Sequence, residues 1–407
     1  MGSHDQTHAG ISRRLVLLMA FACGASAANL YYAQPLLHTL GRAFAVSEGT
    51  AGLLVTITQL GYVIGLALLV PIGDLRERRG LISGSLLVTA AALAVAAAAP
   101  DLGVFAAAIA VVGLTSVVAQ IIVPLSSVLS AEHERGTVVG TVMSGLLIGI
   151  LTARTVSGLV AAALGWRAMF VIAAVAMLAL SAVLRRALPR VPPATGLSYA
   201  ALLRSVLTLV AEQPVLRLRM ALGALTFGCF SALWTALAFL LAGPPFHYGN
   251  AIIGLFGLAG VVGAVAATAA GRLADRGHGA LISTVTIVLL IASWAILVAG
   301  RNSALVLIAG IAVLDLAAQG LHISNQSAIY ALDPAARSRL TTAYMVSYFL
   351  GGALFSALAS VLYASGGWTA VCGLGAAAAV LALIVWSLAG TARARVPVPA
   401  SATADSD

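Results

Sequence analysis

Long apolar runs, each bounded by a few polar or charged residues, recur along the whole chain. They are continuous rather than alternating, so they read as buried helices and not as strands of a half-exposed sheet. About 20 apolar residues span the ~30 Å hydrocarbon core of a bilayer as a helix. Backbone polar groups at that depth must be satisfied within the segment, which again selects helices. The pattern predicts twelve spans, over residues 15–40, 50–72, 80–99, 102–130, 136–163 and 167–184, then 217–241, 250–271, 280–299, 303–331, 340–363 and 368–389. Between the sixth and seventh lies a stretch richer in Pro and Arg, with Pro189, Arg190, Pro192 and Pro193. Its later part, Tyr199–Val210, reads as a short amphipathic helix on the membrane surface. The chain therefore divides into an N-terminal bundle (13–184), a cytoplasmic linker (185–216), a C-terminal bundle (217–390) and a cytoplasmic tail (391–407).

Composition sharpens this picture. Of the 407 residues 61% are hydrophobic and only 9% charged, a balance that suits a bilayer and no soluble domain of this length. The net charge of +9 has no basic domain to carry it, so nucleic acid is not an expected partner. All 22 cations are Arg. With the N-terminus inside, only Arg42, Arg167 and Arg301 fall in outer loops, Arg154 falls within a span, and the rest lie in inner segments. That asymmetry places both termini in the cytoplasm of a cell (inner) membrane. Cys23, Cys229 and Cys372 sit in apolar runs and read as packing residues, with neither disulfide nor metal expected. The first run is too long, and too polar at Asn29–Gln34, for a cleavable signal, and is read as an anchor. A monomer is expected.

The halves repeat. Val70–Leu81 (VPIGDLRERRGL) ends the second span in a knot of charge, and a similar turn, AGRLADRGHGAL, ends the eighth 201 residues later. Asp74 matches Asp275, Glu132 matches Asp333, and the pair Gly165-Trp166 matches Gly367-Trp368. A repeat of six spans preserves orientation, so the halves should be related by an axis along the membrane normal. With Gly271-Arg272-Leu273-Ala274-Asp275-Arg276-Gly277, and with Asp74 and Arg78-Arg79, the sequence resembles the major facilitator superfamily, whose signature joins spans 2 and 3. The first copy departs from it, with Leu75 in place of Arg. The resemblance implies an all-α membrane protein of twelve transmembrane helices in two pseudo-symmetric six-helix bundles that rock about a central cavity. It also implies gating by Asp74, Arg78, Arg79, Asp275 and Arg276, read here as a cytoplasmic latch; a solvated cluster of loop charges is the alternative.

Glycines mark spans 2, 5, 8 and 11: Gly61 and Gly65; Gly136, Gly140, Gly145 and Gly149; Gly254, Gly257, Gly260 and Gly263; Gly351 and Gly352. Small residues let helices approach closely, and in the resembled family these four spans slide across the seam between bundles, ordinary packing being the alternative. Gly145 and Gly149 keep the skeleton of that family's antiporter motif, which implies export, although Ile150 and Ala153-Arg154 depart from it. The family's embedded Arg in span 4 is absent, so coupling through it is not expected.

Polar groups within hydrocarbon need a reason to be there. Span 10 carries Asp315, Gln319, His322 and Gln326 on one helical face. In the resembled family that helix lines the cavity with spans 1, 4 and 7. Asp315 is a candidate proton carrier, because a carboxyl can cross hydrocarbon in its neutral form; His322 can titrate or contact substrate. Arg154 cannot neutralise itself and costs on the order of 3 kcal/mol at a helix centre unless paired or hydrated. At about 1.5 Å per residue it lies roughly 18 Å from Arg167, and Asp315 roughly 21 Å from Arg301, so the two are expected to face each other across the seam. The alternative has Arg154 in a watery cavity, holding an anionic substrate. Further cavity candidates are Asn29, Tyr32 and Gln34, Gln59, Gln120, and Phe227, Phe230 and Trp234, with Asn29 and Tyr32 on one face, Gln34 pointing elsewhere, and the aromatics open to a packing role. Pro35 and Pro124 are candidate kinks.

No catalytic residues, nucleotide loop or metal spacing is present, so neither an enzyme nor a cofactor is expected, with the proton as the coupling ion. The reading is a proton-coupled secondary transporter exporting a small, partly apolar solute, with proton-linked uptake of a metabolite or anion, or a non-transporting receptor, as alternatives. Its partners are that small molecule, protons and the lipid bilayer.

Overall fold

The apolar runs are largely helical where they are described, in a computed structural model that describes residues 11–191, 198–260, 279–333 and 336–394. Among the described residues, nine helices are long and apolar enough to cross a membrane. The last, Arg337–Ala389, has 53 residues, about 80 Å of helix, more than twice the hydrocarbon thickness. Gly367, at φ 62° and ψ −158°, breaks it into spans 11 and 12. A side chain there would clash with its own backbone, so glycine sets the corner. Span 8 begins with Asn250–Leu255 and the 3-10 turn Phe256–Gly260.

Span 1 is interrupted. Helix Arg13–Ala28 gives way to turns and a 3-10 segment, Gln34–Leu36, before Leu37–Ala43 resumes. Pro35 lacks the N–H that an α-helix would use there. The interruption frees the Tyr32 carbonyl, and Ser157 of span 5 donates to it at 2.6 Å. That is how broken backbone is tolerated at membrane depth. In span 4 the break falls at Ser116–Val117, between Leu102–Thr115 and Val118–Leu129. Pro124 lies within the second helix, so it is not the site of the break.

Helix pairing repeats between the halves. Spans 1 and 5, 3 and 6, and 2 and 4 pack together in the first, as do 7 and 11, 9 and 12, and 8 and 10 in the second. Between halves, span 2 packs on span 11 and span 5 on span 8. The linker helix Tyr199–Glu212 packs at one end, where the Tyr199 hydroxyl donates to the Leu68 carbonyl at 3.0 Å. That end is the linker side and the other the far side.

The seam is closed on the far side. Thr39 donates to Asn250 at 2.8 Å, Thr155 to the Gly254 carbonyl at 3.0 Å, and Gln59 to Ser231 at 3.0 Å, each bond joining the two halves. A Cβ at Gly254 would stand 2.7 Å from the Arg154 carbonyl oxygen, and one at Gly52 2.8 Å from the Ser360 Cβ. The expectation that the marked glycines line the seam holds for the described glycines of span 8 and for Gly352 of span 11, where a Cβ would stand 2.6 Å from Gln59 Oε1 of span 2, but not for the other described ones. Gly145 and Gly149 pack against Ala20 and Gly24 of span 1, Gly61 and Gly65 against span 4, and Gly351 against Ala224 of span 7, all within one half. Gly136 and Gly140 meet nothing within 4 Å, and Gly263 lies outside the described residues.

Candidate functional site

Towards the linker side the halves diverge around a chamber. Its wider part, about 350 Å³, reaches Tyr330, Arg337 and Ser338 at the linker-side ends of spans 10 and 11. Its deeper part, about 150 Å³, ends at Tyr31 and Phe230. Gln120, Met143, Leu146, His322, Gln326 and Met345 line both, so the two are continuous. One wall is aromatic: the Phe227 ring stacks on Phe230 at 5.5 Å and on Tyr348 at 4.1 Å. The polar stripe of span 10 faces this space through Gln319, His322 and Gln326. His322 Nδ1 is 3.0 Å from the Tyr344 hydroxyl, which Asn325 approaches at 3.5 Å. Gln120 donates towards the Tyr62 hydroxyl at 3.4 Å.

Behind the deep wall, on the far side, lies a charged centre. Arg154 is 2% exposed and Asp315 4%. The guanidinium lies over three rings, Trp234 at 4.1 Å, Tyr31 at 4.7 Å and Phe230 at 5.3 Å. Its Nε donates to Gln34 Oε1 at 2.8 Å. A planar, weakly hydrated cation suits such stacking. Asp315 is within electrostatic reach of Arg154 and beside the Trp234 indole. The two charges are thus brought within reach of each other, but they form no direct ion pair. The 3-10 turn of span 8 packs against both. Such a turn aligns residues three apart: a Cβ at Gly257 would meet the Arg154 side chain at 3.0 Å, and one at Gly260 would meet Asp315 Oδ2 at 2.5 Å. One nitrogen of Arg154, Nη2, and one oxygen of Asp315, Oδ1, make no hydrogen bond among the described residues.

The other expected cavity residues divide. Gln120, Phe227, Phe230, Gln319, His322 and Gln326 line the chamber. Gln34, Trp234 and Gln59 do not: the first two hold Arg154, and the third joins spans 2 and 7. Asn29 turns to Met177 of span 6 at 3.3 Å, and Tyr32 is buried away from the chamber. Tyr31 takes the position expected of Tyr32, because the helix unwinds here and helical spacing no longer assigns faces. Tyr344 and Tyr348 went unremarked in the sequence, although with Thr341 they form a stripe at helical spacing. Arg219, counted as a loop charge, is buried instead, bonded to Ser283 at 2.9 Å and Asn325 at 3.1 Å.

At the span 2–3 turn, Asp74 pairs with Arg78 at 2.9 Å, and Arg78 Nε donates to the Gly73 carbonyl. Arg79 reaches Glu77 at 3.4 Å. Asp74 lies in the last turn of span 2, and Glu77 caps span 3 by accepting from Gly80 N. Ser338 of span 11 approaches Asp74 at 3.5 Å, the contact that a linker-side latch needs. Asp275 and Arg276 lie outside the described residues.

A family model for the Major Facilitator Superfamily matches residues 16–356. The "Putative uncharacterized transporter YgaY" of Escherichia coli (strain K12) is 49% identical over 376 residues, 92% of this chain and 95% of that one. The "Probable transporter SCO4007" of Streptomyces coelicolor is 35% identical, covering 91% of this chain and 87% of its own. Among solved structures, the nucleoside transporter NupG superposes with a TM-score of 0.73 at 14% identity, covering 92% of this chain and 99% of that one. A bacterial homologue of the human lysosomal transporter Spinster, inward-facing and occupied, gives a TM-score of 0.71 at 13% identity, covering 94% and 96%.

Proposed function

The chain belongs to the major facilitator superfamily, and from that premise we propose that it carries a small, partly apolar solute by alternating access, coupled to a proton on Asp315. Family and relatives make it a multi-pass membrane transporter; the solute, the coupling and the direction are the proposal. The observation that supports coupling best is the buried Asp315, with one oxygen unpartnered, next to a permanent cation at the seam. Spans 5, 8 and 10 meet there, so any rocking of the halves changes the surroundings of both charges. The chamber, closed on the far side, supplies the place where a solute waits. Both termini are read as cytoplasmic, in a cell inner membrane, from the Arg distribution.

Direction has two readings. The Gly145–Gly149 skeleton favours export in exchange for protons. The second is uptake of an anion together with a proton, in keeping with a chamber that no carboxylate lines among the described residues. Proteoliposomes with an imposed pH gradient test the proposal. Solute-triggered proton movement should occur and vanish in Asp315→Asn, and its sign separates exchange from cotransport. Solute flux indifferent to the gradient would refute coupling, and binding without flux would indicate a receptor.

A further inference from the structure

Among the described residues no carboxylate lines the chamber, although Asp74 stands 3.5 Å behind Ser338 at its mouth and Asp315 behind its deep wall. Arg337 stands at the mouth. At the deep end Arg154 lies against the rings of Tyr31 and Phe230, the same rings that wall the chamber. A cation that already occupies one face of a ring makes the other face a poorer seat for a second cation. The remaining polar groups are neutral amides, hydroxyls and the His322 imidazole, able to orient a solute but not to neutralise a cation.

We infer that the solute is a monoanion with a flat apolar body, a carboxylate on a ring-sized hydrocarbon, which packs against the aromatic wall of Phe227 and Tyr348 and binds together with the proton. This rests on the reading of Asp315 as the proton carrier. With Asp315 ionised, the field of Arg154 is largely offset. With Asp315 neutral, that field reaches the chamber uncompensated and attracts an anion. Linkage is reciprocal, so proton and anion each strengthen the binding of the other by the same factor. Binding of that sign belongs to cotransport and not to exchange. The titratable and charged neighbours of Asp315 are Arg154 from span 5 and Tyr348 from span 11. Span 7 brings Trp234 and span 8 Gly260, neither of which titrates. His322, two turns along span 10, is engaged with Tyr344.

The test uses the purified full-length chain and three probes of one shape: 2-naphthoate, 2-naphthamide and 2-naphthylmethylammonium. Naphthoate should bind, and tighten on the order of tenfold from alkaline to mildly acidic buffer, within the usual range of coupling between two sites. The amide and the ammonium should bind at least tenfold more weakly. Asp315→Asn should bind naphthoate in alkaline buffer as tightly as the unmodified protein does in acid, a gain that misfolding cannot imitate. Arg154→Gln should lose the preference for naphthoate over the amide. Equal or better binding of the amide or ammonium, binding of none of the three, or an unchanged pH response in Asp315→Asn would overturn the inference. Naphthoate bound but not carried under a pH gradient would instead sink the coupled-transport reading and leave the solute class standing. Proton-driven flux of the ammonium or amide, but not of naphthoate, would do the reverse.

Discussion

Gly254→Ala places one methyl group where the halves touch on the far side. The Cβ would stand 2.7 Å from the Arg154 carbonyl oxygen and 3.0 Å from the Gly158 Cα. Comfortable contact needs about 3.5 Å, so spans 5 and 8 must part by several tenths of an ångström. Both neighbours are backbone and cannot swing away. Overpacking of this kind costs roughly 1–3 kcal/mol. In the conformation that opens the far side these spans separate, so the cost falls on the observed state alone. The gain in helix propensity, about 1 kcal/mol, is common to both states and cancels. The equilibrium should therefore move roughly 5–150-fold towards the far-side-open form. Cys23, Cys229 and Cys372 are buried and can be replaced to give a silent background. Single cysteines then report each side: Ser338→Cys at the chamber mouth and Thr39→Cys at the far-side contact. With a membrane-impermeant maleimide, Gly254→Ala should slow labelling at the first and speed it at the second. Gly140→Ala, where nothing lies within 4 Å, should change neither. Unchanged labelling at both reporters in Gly254→Ala would refute the idea that this seam opens and closes.

Three further outcomes follow from the same geometry. Arg154→Ala leaves Asp315 buried without its counter-charge and should lower stability by about 3–5 kcal/mol, with part recovered in the double variant Arg154→Ala, Asp315→Asn, as read from thermal unfolding in detergent. Gln59→Leu removes the 3.0 Å bond to Ser231 that joins spans 2 and 7; with a net loss of about 1 kcal/mol in the far-side-closed state, Thr39→Cys should label faster. Asp74→Asn breaks the partly exposed ion pair with Arg78 and the approach of Ser338; stability should fall by less than about 1 kcal/mol, while labelling of a linker-side cysteine quickens.

The apolar helical spans, the repeat and the polar stripe of span 10 were legible because each follows from periodicity and from the cost of polar groups in hydrocarbon. That Arg154 and Asp315 come near each other was expected from rise per residue alone, and they lie within electrostatic reach. The turn that packs against both was not, because the 3-10 segment Phe256–Gly260 is a departure from regular helix that apolar patterning does not encode. The same limit misplaced the aromatic of span 1: once residues 29–33 leave the helix, Tyr31 and not Tyr32 faces the chamber. Glycines misled for a different reason. A small residue announces a close neighbour but not which one, so Gly145 and Gly149 meet span 1 within their own half rather than span 8 across the seam. Arg219 shows that positive residues near a span end are not all solvated; Ser283, Asn325 and the Trp386 ring hold it inside.

The account depends most on Asp315 gaining and losing a proton where it stands. Infrared difference spectra of the protein in lipid, recorded between alkaline and acidic buffer with and without 2-naphthoate, report this directly through the carbonyl stretch of a protonated carboxyl. A band that grows as the pH falls, grows further when naphthoate binds, and is missing in Asp315→Asn is the predicted result. Spectra of the unmodified protein and of Asp315→Asn that coincide throughout would contradict it.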